Sequence, residues 1–172
     1  MNHSPNLCFT CRKPKAAYNC ELCREHVCKN CAQFIDENEF SYLKTIPEEL
    51  KHTTYCLNCF NEKVSTPLEN YKEMLVQAKE IIIFYKSEGK ITRLLERKQK
   101  PYQVDGCVDE DEALLKLSMY AVQDKFNALI DINLTSKKII NGSHKKLTWT
   151  GTAMPLLLNE KELRQTSFYQ ED

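Results

Sequence analysis

Cys20-Glu21-Leu22-Cys23-Arg24-Glu25-His26-Val27-Cys28-Lys29-Asn30-Cys31 sets two Cys-x-x-Cys pairs four residues apart. Two further pairs flank this stretch, Cys8/Cys11 and Cys56/Cys59, so eight of the nine cysteines are paired. A Cys-x-x-Cys turn carries two thiolates on one tight loop, where both reach the same ion. Two such turns complete the closed tetrahedral sulfur shell of a structural zinc, so four turns predict two zinc ions. The ions can be assigned to the pairs sequentially or interleaved. The four residues between Cys23 and Cys28 favour interleaving, because so short a segment lets the chain cross from one ion to the other. The expected sets are Cys8, Cys11, Cys28 and Cys31 on one ion, and Cys20, Cys23, Cys56 and Cys59 on the other.

The competing reading of the same cysteines is a disulfide framework, which needs an oxidising compartment. Met1 to Phe9 shows neither a basic start nor an apolar run before a cleavage site, so nothing in it argues for secretion. Pairs with a two-residue gap follow the zinc pattern of a reduced cell, whereas disulfide scaffolds spread their cysteines. No apolar run approaches a membrane span, the longest being Ile81 to Tyr85 and Met154 to Leu158. The expectation is a soluble, cytoplasmic protein. With 24 basic and 24 acidic residues and neither half unbalanced, bulk attraction to nucleic acid or to an anionic membrane is not expected.

At 172 residues the chain has room for a small metal domain and a second module with its own core. The paired cysteines all precede Phe60, which places the finger in residues 1–65. Its long last gap supplies Phe34, Ile35, Phe40, Tyr42, Leu43 and Ile46 as core material around the metals. Thr66-Pro67-Leu68-Glu69 reads as a helix start, with Thr66 as cap, Pro67 at the first helical position and Glu69 closing a capping box. A linker helix over residues 66–79 follows, and an α+β domain over residues 80–158. Glu80 to Ser87 is a β-rich stretch and Tyr102 to Cys107 another short strand. Asp109 to Phe126 reads as a helix with acids in its first turn and Asp109 and Glu112 at capping-box spacing. Ala128, Ile130, Ile132 and Leu134 alternate as one face of a strand, Asn141-Gly142 reads as a type I′ hairpin turn, and Leu147 to Met154 returns. A helix on an antiparallel sheet, fold class α+β, is the architecture these elements predict. Residues 159–172 form a polar tail.

The cysteine region resembles the FYVE zinc finger, whose Cys-x2-Cys-x4-Cys-x2-Cys centre is matched over residues 20–31, with Cys8-x2-Cys11 before it and Tyr55-Cys56-Leu57-Asn58-Cys59-Phe60 after it. The resemblance covers about the first third of the chain and implies a cross-braced two-zinc scaffold. FYVE fingers that read phosphatidylinositol 3-phosphate carry a Trp-x-x-Asp before the first pair, a basic run with two histidines at the third cysteine and an Arg-Val before the seventh. Here those places hold Ser4-Pro5-Asn6-Leu7, Ala16-Ala17-Tyr18-Asn19 and Thr54-Tyr55, so the phosphate-binding cations are missing. A plant homeodomain finger would want a histidine at position 28 and a tryptophan near Thr54, and a RING finger a different central spacing. In the second module, Asp111-Glu-Ala-Leu-Leu-Lys-Leu117, Asn127-Ala-Leu-Ile-Asp-Ile132 and Trp149-Thr-Gly-Thr-Ala153 are similar to small bacterial domains of the YbjQ type. That likeness implies a small α+β domain and a bacterial source. The heavy-metal label sometimes given to those domains is not carried over, because this half has no Cys or His cluster.

Outside the eight cysteines the chemistry is sparse. Since structural zinc closes at four ligands, His26 reads as a loop histidine, and His3, His52 and His144 stand in no motif. Arg12, Lys13 and Lys15 form a small basic knuckle, read as solvated, and so is the basic run from Lys86 to Lys100. Cys107 follows Gly106 and precedes an acidic run that would raise a thiol's pKa, so it reads as a packed free cysteine. Asp105, Asp109, Glu110, Asp111 and Glu112 read as helix-start acids. No base-and-nucleophile pair or phosphate loop is present, and an enzyme is not expected. The reading is a zinc-binding interaction or adaptor protein with a protein partner, the alternatives being a phosphoinositide-binding FYVE protein and, below it, a ligase-type enzyme.

Overall fold

Each of the first two Cys-x-x-Cys turns closes through the same pair of backbone hydrogen bonds. Arg12 N–H donates to the Cys8 carbonyl at 2.8 Å and Arg24 N–H to the Cys20 carbonyl at 2.7 Å. In return Cys8 N–H reaches the Lys13 carbonyl and Cys20 N–H the Glu25 carbonyl, both at 2.9 Å. The residue after the second cysteine takes a left-handed conformation in both, Arg12 at φ 59° and Arg24 at φ 64°. This is the cost of a turn tight enough to aim two sulfurs at one point. The computed structural model describes residues 7–88, 95, 97–141, 144–160 and 162, and the chain divides into two units, Met1–Glu73 and Met74–Asp172.

In the first unit, β1 (Tyr18–Asn19) and β2 (His26–Val27) form an antiparallel hairpin with the Cys20 turn at its tip. β3 (Ala32–Phe34) pairs antiparallel with β4 (Thr54–Cys56), in the register Ala32 opposite Cys56. Cys56 caps α1 (Leu57–Cys59), its Sγ accepting from Cys59 N–H, and the chain runs on through a π-helical segment (Phe60–Val64) into α2 (Ser65–Lys79). The helical run thus begins nine residues before the expected cap at Thr66, and Pro67 lies inside it. A proline ring collides with the carbonyl four residues back in a regular α-helix. The wider π turn just upstream, where Ser65 N–H reaches the Phe60 carbonyl, is the local distortion that admits it. Phe40 is buried edge-to-face against Tyr71, with ring centroids 5.1 Å apart. Phe34, expected in the core, is 53% exposed.

The second unit is a four-stranded sheet in the order β5 (Ile82–Tyr85), β7 (Ala128–Asn141), β8 (His144–Leu156), β6 (Tyr102–Cys107). β7–β8 and β8–β6 are antiparallel, and β5 joins β7 in parallel. The α+β class stands, with a mixed sheet. α3 (Glu110–Gln123) packs on one face, capped by Asp109, whose Oδ1 accepts from Glu112 N–H at 2.7 Å, while Glu112 Oε2 accepts from Val108 N–H. The helix ends at Gln123 in a Schellman motif. Lys125 sits at φ 63°, Phe126 N–H returns to the Ala121 carbonyl and Lys125 N–H to the Val122 carbonyl.

The face assignment of β7 differs from simple alternation. A bulge between Ile130 and Asn133, with Asp131 at φ 53°, shifts the phase of the strand. Leu129 and Ile132 therefore join Val104, Leu117 and Ala153 in the core under α3, while Ala128 and Ile130 pack with Phe84 and Leu158 in a second cluster. Both faces are buried here. Asn127 fastens the second cluster, its side chain donating to the Leu158 carbonyl at 2.9 Å and accepting from Leu158 N–H at 2.7 Å. The β7–β8 ladder continues to Asn141 opposite His144, so Asn141 is a strand residue. Gly142 and most of the tail 159–172 lie outside the described residues.

Candidate metal centre

The hairpin β1–β2 explains how the pairs interleave. It carries the Cys20 turn to its tip and returns the chain along β2 to Cys28, where Phe9 N–H donates to the His26 carbonyl at 2.8 Å and Cys28 N–H to Cys8 Sγ at 3.4 Å. Those bonds hold the third pair against the first. At the tip, Glu21 N–H donates to the Thr54 carbonyl at 3.0 Å, and Glu21 Oε1 accepts from the Thr53 hydroxyl at the same distance. This binds the second pair to β4 and so to Cys56.

The structure accordingly brings Cys8, Cys11, Cys28 and Cys31 together in one group and Cys20, Cys23, Cys56 and Cys59 in another, the Sγ atoms of each lying within 4.8 Å of one another. All eight are free thiols. Cys11 Sγ and Cys28 Sγ are 3.7 Å apart, and so are Cys23 Sγ and Cys56 Sγ. Sulfurs at the corners of a tetrahedron with 2.3 Å zinc–sulfur bonds are separated by about 3.8 Å, whereas a disulfide needs about 2.05 Å. The two groups fit two zinc sites.

The electrostatics point the same way. Burial pushes the Cys8 thiol up, but backbone N–H groups of Cys11, Cys28 and Thr10 outweigh it and bring it down to about 6. Cys20 is brought to about 7 against the same burial by donors from Cys23, Cys56 and Leu22. Their neighbours move the other way. Cys31 is pushed up to about 12, first by its side-chain hydrogen bond with Cys28, and Cys23 and Cys59 are raised, first by burial. Four sulfurs this close cannot all ionise without a counter-charge, and a dication at the centre of each group removes the conflict. Cys8, Cys20 and Cys56 are buried in one cluster with Ala16, Val27 and Ala32, and Cys11, Cys28, Cys31 and Cys59 pack against it, so the two groups are part of this unit's core.

The remaining candidates lie apart from these groups. His26 is an exposed residue of β2, paired with Asn19. His52 Nδ1 is 3.4 Å from Glu21 Oε2. Arg12 stacks over the Phe9 ring at 5.5 Å. Cys107 is buried, and its thiol is raised first by burial and then by Glu112, as its acidic surroundings suggested. Tyr55 is fully buried, its hydroxyl 2.7 Å from the His52 carbonyl and 2.9 Å from that of Glu49. An exposed aromatic pair was not legible in the sequence: Tyr18 and Phe34 meet edge-to-face at 5.1 Å while 36% and 53% exposed. No helix of the described residues is long and apolar enough to cross a membrane. Comparison with protein-family models, with curated proteins and with solved structures gives no match for this chain.

Proposed function

We propose that the chain is a zinc-dependent interaction protein, in which a FYVE-type finger without the phosphoinositide pocket presents a protein-binding surface. The observation that carries this reading is the pair of all-cysteine groups. Four thiolates close each coordination shell and leave no position for a substrate or an activated water, so zinc here holds structure and does not catalyse. A metal-held scaffold of this kind serves recognition through what it displays. The Tyr18–Phe34 pair is the display: rigid aromatics on two metal-anchored strands, the residue type enriched where protein partners bind. Phosphoinositide recognition is disfavoured, because the sequence positions that would supply cations hold Ala16, Ala17 and Thr54.

The test is cross-linking and affinity capture with the zinc-loaded chain, beside a Tyr18→Ala/Phe34→Ala variant and with phosphatidylinositol 3-phosphate liposomes as a parallel arm. The proposal expects a protein partner captured by the parent and lost by the variant, with zinc content unchanged in both. Selective liposome flotation, or capture unaffected by the double substitution, would overturn it.

A further inference from the structure

Between Ile132 and Asn159 the sequence has no acidic residue and four lysines, Lys137, Lys138, Lys145 and Lys146, leaving 20 of the 24 basic side chains against all 24 acidic ones elsewhere. Charge balance over the whole chain conceals this segregation, and the ladder concentrates it. β5 pairs with β7 only as far as Ile132 and β6 with β8 only as far as Trp149. Past those points no other strand among the described residues pairs with β7 or β8, and the ladder runs on from Lys137 opposite Thr148, which is buried, through Asn141 opposite His144. Five residue pairs at a strand rise of about 3.4 Å make a two-stranded ribbon about 17 Å long.

Lys137, Lys138 and Lys146 are exposed on it, and among the described residues none pairs with a carboxylate. Side chains directly opposite share a face and successive ones alternate, so Lys137, Ile139 and Lys146 lie on one face and Lys138 and Leu147 on the other. Ile139 and Leu147 are 47% and 49% exposed.

We propose that this ribbon binds double-stranded DNA by entering the major groove. Two strands about 4.8 Å apart, with their side chains, match a B-form groove about 12 Å wide, and lysines on both faces reach the phosphates of both walls. Ile139, on the face shared with Lys137 and Lys146, is exposed where that face would meet base edges and thymine methyl groups. The deep, narrow major groove of A-form RNA does not admit a ribbon. A membrane surface would favour one apolar face opposite one basic face, and here each face carries both kinds. The competing explanation is that the lysines only keep the free strand edges from pairing with other chains.

The experiment is fluorescence anisotropy of a short labelled duplex DNA titrated with the full zinc-loaded chain over a range of salt, with duplex RNA and phosphatidylcholine–phosphatidylserine vesicles as parallel arms. Three lysine–phosphate contacts predict a log–log salt slope of about −3, a loss of roughly 50-fold between 50 and 200 mM salt. Lys137→Gln/Lys138→Gln/Lys146→Gln weakens binding at least about tenfold and removes most of that slope, and each single substitution lowers the slope by about one. Lys63→Gln/Lys72→Gln/Lys79→Gln, the same charge change in exposed helical lysines, leaves binding unaltered. The proposal is overturned if the parent does not bind DNA, if ribbon and helix variants lose equally, or if RNA or vesicles bind as well as DNA.

Discussion

Cys23 Sγ and Cys56 Sγ lie 3.7 Å apart although 33 residues separate them in the chain. That spacing is too long for a disulfide and right for two corners of a zinc tetrahedron. Since Cys8, Cys20 and Cys56 lie in a buried cluster of the first unit, metal binding is expected to be coupled to the folding of that unit. Structural zinc contributes on the order of 10 kcal/mol to such domains.

Stripping zinc with a chelator should therefore unfold the finger and spare the sheet. Hydrogen exchange should show protection lost from Cys8 to about Val64 and kept in β7 and α3, whose apolar core contains no metal ligand. Cys56→Ser should reproduce the pattern by leaving one group with three thiolates. Protection lost throughout would mean one cooperative unit.

Cys107→Ala should leave zinc binding untouched. Cys107 belongs to the core beneath α3 and not to either thiolate group. The cost is a small cavity, about 1 kcal/mol in thermal or denaturant unfolding of the sheet unit.

Gly151→Ala should destabilise the sheet unit by about 1–3 kcal/mol. A Cβ there would come 2.8 Å from Leu134 Cδ2 and 3.0 Å from Leu117 Cδ1, so a side chain at this position of β8 must displace those leucines. Urea unfolding of the variant checks this, and an unchanged midpoint would mean that the core yields.

Arg97 makes a two-point contact with Asp131, Nε to Oδ2 at 2.6 Å and an Nη to Oδ1 at 3.0 Å. The side-chain hydrogen bond from Arg97 holds the Asp131 carboxyl below its ordinary value. The stabilisation is therefore complete above about pH 4, where an unfolded aspartate is ionised, and is lost as pH falls through the lower folded value. Both partners are partly exposed, so Arg97→Gln should cost only about 0.5–1 kcal/mol at neutral pH. The difference between parent and variant should vanish in acid.

The cysteine groups were legible because sequence spacing is local: a two-residue gap lets one tight turn carry two sulfurs to the same ion. The helix cap at Asp109 was legible for a similar local reason, a carboxylate three residues from the N–H it satisfies. What could not be read was set by long-range pairing. Ile130 and Ile132 share a face by alternation, yet a bulge at Asp131, defined by the register against β8, sends them to opposite faces. Pro67 looked like a helix start because propensity cannot foresee a helix already launched at Cys56. The lysines of the ribbon were hidden by averaging charge along a chain whose ladder later gathers them.

Metal content is the most direct test of the two-site assignment. Native mass spectrometry of the purified chain should show two zinc ions per chain, one for each group of four cysteines, with no disulfide. A folded, metal-free chain whose cysteines are oxidised, or one that holds a single ion at saturation, would contradict it.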